Sequence, residues 1–170
     1  MEQNINGAAT ASVKNIRLPR YEEIPDVGLY LEQTTHYISE CLKPLDIVIT
    51  GSMVSNYVKR GLVANPVKKL YSREQIAYLI FIAVTKSVLS LEDIQLLLQL
   101  QRETHAAGAS YNYFCRELEN ILQIVFGLKD SPDDVGYENT KEKTMLRNTV
   151  ITVAHKVYLD KCLAAIRKRT

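Results

Sequence analysis

The chain reads as all-α, with at most a small β wing in its first half and a helical hairpin at its C-terminal end. Three observations predict this class. Apolar residues recur at spacings of three and four along several separate stretches, the period of a helix face. Thr50, Ser72 and Ser90 stand just before such stretches, where a side-chain oxygen caps the first turn. Only residues 63–71 combine a β-branched residue, a proline and a tyrosine in a way that would supply a short hairpin or wing.

Residues 1–15 are Ala, Asn, Gln and Ser with few large apolar side chains, and are expected to be a disordered tail. Residues 18–25, LPRYEEIP, lie between two prolines, which favour extended backbone and turns. Leu18, Tyr21 and Ile24 would pin this strap to the core. A helix is expected over 28–42, with Leu31, Thr34, Thr35, Ile38, Cys41 and Leu42 inward and Pro44 beyond its end. His36 and Glu40 lie one turn apart on it, a spacing read as a surface ion pair. The next helix, 50–60, turns Met53, Val54, Tyr57 and Val58 inward and Ser52, Ser55, Asn56, Lys59 and Arg60 outward, and Gly61 terminates it.

Ser72 and Gln75 have the spacing of a capping box. The helix they open, 72–87, buries Ile76, Leu79, Ile80, Ala83 and Val84. Ser90 opens the next, whose inner face is Leu91, Ile94, Leu97 and Leu98. Its Glu92 and Asp93 suit the positive end of the helix dipole. A helix over 109–126 carries Tyr111, Phe114, Leu118, Ile121, Leu122 and Val125. The Pro, Gly and Asp content of 129–139 marks a loop. The last helix, 140–168, has Leu146, Val150, Val153, Val157, Cys162 and Ile166 on one stripe. Arg167, Lys168 and Arg169 end the chain, where cations suit the dipole.

The net charge of +2 is unevenly spread. Residues 1–49 carry −3 and residues 74–170 carry zero, whereas 50–73 hold Lys59, Arg60, Lys68, Lys69 and Arg73 without one acid. Such a segment is the footprint of an anion contact, a solvated basic loop being the plainer alternative. Cys41, Cys115 and Cys162 are odd in number and far apart, so they read as reduced thiols of a cytoplasmic protein. No apolar run approaches the roughly 18 residues of a membrane span. His36, His105 and His155 fall in different elements without metal-ligand spacing. There is no glycine-rich phosphate loop or nucleophile elbow, and Asp133-Asp134 in a loop reads as solvated acids. No catalytic residue, metal or cofactor is expected.

The order of short helix, Gly61-Leu62, basic connector ending at Lys69-Leu-Tyr71, capped helix and Ser90-Leu-Glu-Asp-Ile94 resembles the DNA-binding half of the MerR family. A second likeness covers about residues 18–101. LPRYEEIPDVGLYLEQ, MVSNYVK and KKLYSREQIA are similar to the bacterial family catalogued as domain of unknown function 1836. The MerR resemblance implies a winged helix-turn-helix domain over 16–101 and a C-terminal helical region over 102–170. It implies a transcriptional regulator that binds double-stranded DNA, with helix 50–60 in the major groove and connector 65–73 on phosphates. Two departures from that pattern stand out: Pro44 to Ile49 separates the reading helix from the one before it, and nothing after Gln101 resembles an effector domain.

On that reading Ser52, Ser55 and Asn56 face base edges, Asn56 suiting adenine. Lys59, Arg60, Lys68, Lys69 and Arg73 face phosphates. Tyr71 either donates to a phosphate or packs beneath the wing, and Tyr57 is a core residue. Tyr111, Tyr113, Phe114 and the stripe 146–166 are the expected surface of a homodimer, with packing inside one chain the equal alternative. The competing function is a protein-interaction module on the same scaffold, its basic segment meeting an acidic partner.

Overall fold

The computed structural model describes residues 2–133 and 139–168, the side chains of 2–6 excepted. Its helices are α1 Glu2–Val13, α2 Leu31–Cys41, α3 Gly51–Lys59, α4 Arg73–Thr85, α5 Leu91–Thr104, α6 Ala107–Val125 and α7 Lys141–Arg167. Short 3-10 turns at Tyr21–Glu23 and Lys43–Leu45 complete the regular structure. Among the described residues the only β pairing is two isolated bridges, Leu29 with Tyr71 and Val67 with Leu70. The chain is all-α.

The capping signals act as read. Thr50, Ser72 and Ser90 accept from the amides of Met53, Gln75 and Asp93, and Thr140 does the same for Lys143. Helix α4 departs from its one-stripe reading. Ala77, Phe81, Ile82 and Thr85 are buried along with the expected residues. It is enclosed because α2, α6, α7 and the 21–23 turn all pack on it, and a helix so placed is apolar on every side. The hydroxyl of Thr85 donates to the Phe81 carbonyl at 2.8 Å, which satisfies the one polar group sunk in this helix.

α6 and α7 form the C-terminal hairpin and close the core from the other side. Phe114 meets Phe81 edge-on, with ring centroids 5.0 Å apart, and Tyr111 and Tyr113 are buried beside it. Val150, Val153 and Val157 are buried in the same chain. The aromatic cluster and the middle of the α7 stripe therefore pack within the chain, the second of the two readings weighed for them. The reason is that α4 needs cover on every side.

Residues 2–13 form a helix where composition suggests disorder. Ala9 and Val13 bury against α7, and small side chains permit that close approach. Tertiary contact rather than propensity supports such a helix. The strap beyond it is anchored as its apolar residues imply, with Leu18 and Ile24 buried. Polar clamps add to this. Tyr111 donates to the Pro19 carbonyl at 2.8 Å, the Tyr21 amide donates to Asn112 at 2.8 Å, and Arg20 pairs with Glu119 at 2.7 Å.

α2 begins at Leu31, three residues later than its apolar pattern suggests, because Gly28 takes φ +78° and Leu29 then pairs with Tyr71. A Cβ at Gly28 would lie 3.1 Å from that of Leu70, so the glycine also permits this close approach. His36 and Glu40 are exposed and make no ion pair among the described residues. Of the loop over 129–139, residues 134–138 lie outside the described residues, as does Arg169 of the terminal cations.

Candidate nucleic-acid interface

Helix α3 is amphipathic in the sense its residues require. Val54 and Tyr57 are buried, Met53 and Val58 are half-buried, and Ser52, Ser55, Asn56 and Lys59 are exposed. Gly61 leaves the helix at φ +78°, a conformation that disfavours any side chain. The turn that follows is held from α5. Arg102 donates to the Leu62 carbonyl at 2.9 Å while stacking 4.6 Å from the Tyr78 ring centroid.

The basic connector holds a two-residue hairpin. The amides and carbonyls of Val67 and Leu70 exchange hydrogen bonds of 3.1 and 2.9 Å across Lys68 and Lys69. Both lysines have positive φ, 51° and 65°, as a type I′ turn demands of its two central residues. Asn and Gly normally occupy those places, since a Cβ in the left-handed region meets the following carbonyl. Two lysines are held there, both exposed. The hairpin base is fastened by Gln75, whose amide donates to the carbonyls of Ala64 and Asn65 at 2.9 and 3.1 Å. Tyr71 and Leu29 exchange backbone bonds of 2.8 and 3.0 Å at its far end.

The structure divides the expected contact residues. Ser52, Ser55, Asn56, Lys59, Lys68 and Lys69 are exposed, and the three lysines make no ion pair among the described residues. Arg60 is also exposed but pairs with Glu92 at 2.9 Å. The Glu92 carboxyl is held below its ordinary range by its own backbone amide and then by that guanidinium. Tyr71 is 5 % exposed, and burial raises its hydroxyl pKa. Of its two readings, packing beneath the wing is the one found. Arg73 donates to the carbonyls of Ile24 and Glu22 at 2.9 and 3.3 Å and lies 5.7 Å from the Tyr21 ring centroid. It fastens the strap, so its guanidinium is engaged within the chain.

Sequence reasoning missed three features here. Gln75 was visible as a cap, but not as the clamp of the hairpin. Arg102 and Glu92 are far along the chain from their partners, and local patterns carry no trace of them. A hollow also lies between α3 and the hairpin, lined by Val58, Gly61, Val67, Leu70, Asp26 and Glu74. Val67 and nearby Val27 are 73 % and 84 % exposed, so the surface beside the lysines is partly apolar and partly acidic.

Other chemistry is sparse. Among the described residues no three His, Cys, Asp or Glu side chains group as a metal ion would need, and no helix is long and apolar enough to cross a membrane. The three cysteines are free, and burial pushes the Cys115 thiol up to about 12.

The family described as "Domain of unknown function (DUF1836)" matches residues 19–114, more than half of the chain. Comparisons with curated proteins and with solved structures return no match.

Proposed function

We propose that this chain, which belongs to the DUF1836 family, is a DNA-binding transcriptional regulator of winged helix-turn-helix type, similar in plan to the MerR family. The observation that carries the reading is the hairpin tip. Two lysines occupy left-handed positions that favour Asn and Gly, and their ammonium groups stand in solvent. Strain held at an exposed basic turn calls for a use of that charge, and a phosphate backbone is its natural partner. Ser52, Ser55 and Asn56 on the outer face of α3 would read base edges in the major groove. Lys59, Lys68 and Lys69 would contact phosphates, while Arg60 and Arg73 support the scaffold.

The test is titration of random-sequence duplex DNA across a salt series, followed by fluorescence anisotropy. Binding at about 50 mM salt that weakens linearly on a log–log plot is expected. No duplex binding at low salt overturns the proposal.

A second reading has its own observation. Val27 and Val67 are the two most exposed large apolar residues of the chain's described part, and both lie beside the lysines. A protein partner with an acidic, apolar-tipped surface would cover both. Protein binding abolished by Val67→Ser and by Lys68→Ala, in a chain indifferent to DNA, would favour it.

A further inference from the structure

Helices α5, α6 and α7 leave between them a cavity of about 230 Å³, floored by Phe81 of α4. We propose that it binds a small organic anion with an apolar body and a carboxylate or similar group at one end. The walls are apolar along α5 and α7, through Leu97, Leu100, Met145 and Leu146. Leu100 and Met145 are each 38 % exposed, so the mouth itself presents hydrocarbon to water. Burying that hydrocarbon is the driving force for an occupant.

The polar groups are one-sided. Arg116 lies at the rim, exposed, and makes no hydrogen bond or ion pair among the described residues. Lys143 stands 5.3 Å from the Tyr113 ring centroid in the same wall. His105 also lines the cavity, and Glu142 is its one acid. An anionic end placed against Arg116 gains a charge-assisted bond that no group among the described residues supplies. The Tyr113 wall is fixed from behind, since its hydroxyl accepts from Arg147 at 3.5 Å and Arg147 donates to Glu117 at 3.0 Å. A preformed wall lowers the ordering penalty on binding.

Size narrows the class. An apolar cavity of roughly 150 Å³ takes up benzene, so this volume holds about ten non-hydrogen atoms. The depth down to Phe81 and an exposed guanidinium without a partner among the described residues favour such a molecule over a flat protein face.

The experiment titrates the full chain, without DNA, with octanoate, octan-1-ol and octylamine, which share one tail and differ in charge. Binding is read by calorimetry and by amide chemical shifts. Because no DNA is present, the result is independent of whether α3 and the hairpin meet duplex. Octanoate is expected to bind with a Kd of about 1 mM or tighter. Octan-1-ol should bind roughly two- to fivefold more weakly and octylamine more weakly still. Arg116→Ala should bring octanoate to the level of octan-1-ol. Two exposed positions test the location: Ala109→Trp fills the mouth and Leu100→Glu sets a carboxylate on its rim, and each should abolish saturable binding. Circular-dichroism melts verify that these variants fold, and loss in either one suffices. No saturable octanoate binding, equal affinity for the alcohol, or binding untouched by both rim variants overturns the proposal. So does a self-association that octanoate disperses, which would give the cavity mouth to a second copy of the chain.

Discussion

Lys59, Lys68 and Lys69 stand in solvent without an ion pair among the described residues, while Arg60 and Arg73, from the same acid-free stretch, turn their guanidinium groups to the protein. The division follows side-chain chemistry. A planar guanidinium can hold two acceptors in fixed directions, as Arg73 does with the carbonyls of Glu22 and Ile24. An ammonium on a flexible stem is a hydrated point charge, better suited to an outside anion. Formal charge along a sequence therefore overstates the charge a surface offers, and the two residue types should respond differently to removal.

The largest effect should come from the lysines. Lys68→Ala with Lys69→Ala is expected to weaken duplex binding at least about tenfold and to reduce the salt slope by about 2, with thermal stability unchanged or raised. Binding that ignores this pair would erase the distinction between the two residue types. Arg73→Ala should do the reverse. It removes bonds from a charged donor to two carbonyls and should lower stability by about 1–2 kcal/mol in a urea melt, with the salt slope retained. A more discriminating variant is Lys68→Asn with Lys69→Gly. It relieves two left-handed positions and should stabilise the fold by about 0.5–1 kcal/mol, while losing DNA affinity as the alanine pair does. Stability and binding moving together there would break the comparison. Arg60→Ala removes only an exposed pair with Glu92 and should leave the urea midpoint essentially unchanged.

The strap supplies a contrast in pH. Glu23 accepts from Arg17 through both carboxylate oxygens and from the Arg20 amide, and these bonds hold its carboxyl at about 2, below its ordinary value of 4.5. A depressed folded-state pKa gives stability that is present above the unfolded value and lost as pH falls. An acid melt should thus weaken between about pH 4.5 and 2. Glu23→Gln should flatten that limb, and an unchanged slope would mean the bonds contribute nothing.

Much of the fold could be read from short-range patterns. Thr50, Ser72 and Ser90 mark helix starts because a cap is a three-residue event, and Gly61 marks an end because its φ is local. The outer face of α3 was legible for the same reason. What stayed hidden depends on distant partners. Arg73 reaches back 49 residues to Ile24, and Arg60 reaches forward 32 to Glu92. Nothing near either arginine signals this. Residues 2–13 were misread because alanine that packs on a neighbouring helix looks like alanine in a tail. Tyr111 and Phe114 have the composition of an interface, and only the placement of α4 shows which surface they cover.

The strap couples the two ends of the molecule. Its carbonyls at Glu22 and Ile24 are held from α4, and its Leu18 and Tyr21 amides and Pro19 carbonyl are held from α6. Neither helix can move away without breaking bonds to the same short segment. In hydrogen exchange, the Leu18 and Tyr21 amides should be as slow as those inside α4, although they lie in a segment with little helix of its own. The region carrying α3 and the hairpin and the region carrying the cavity would then open together, in one cooperative event.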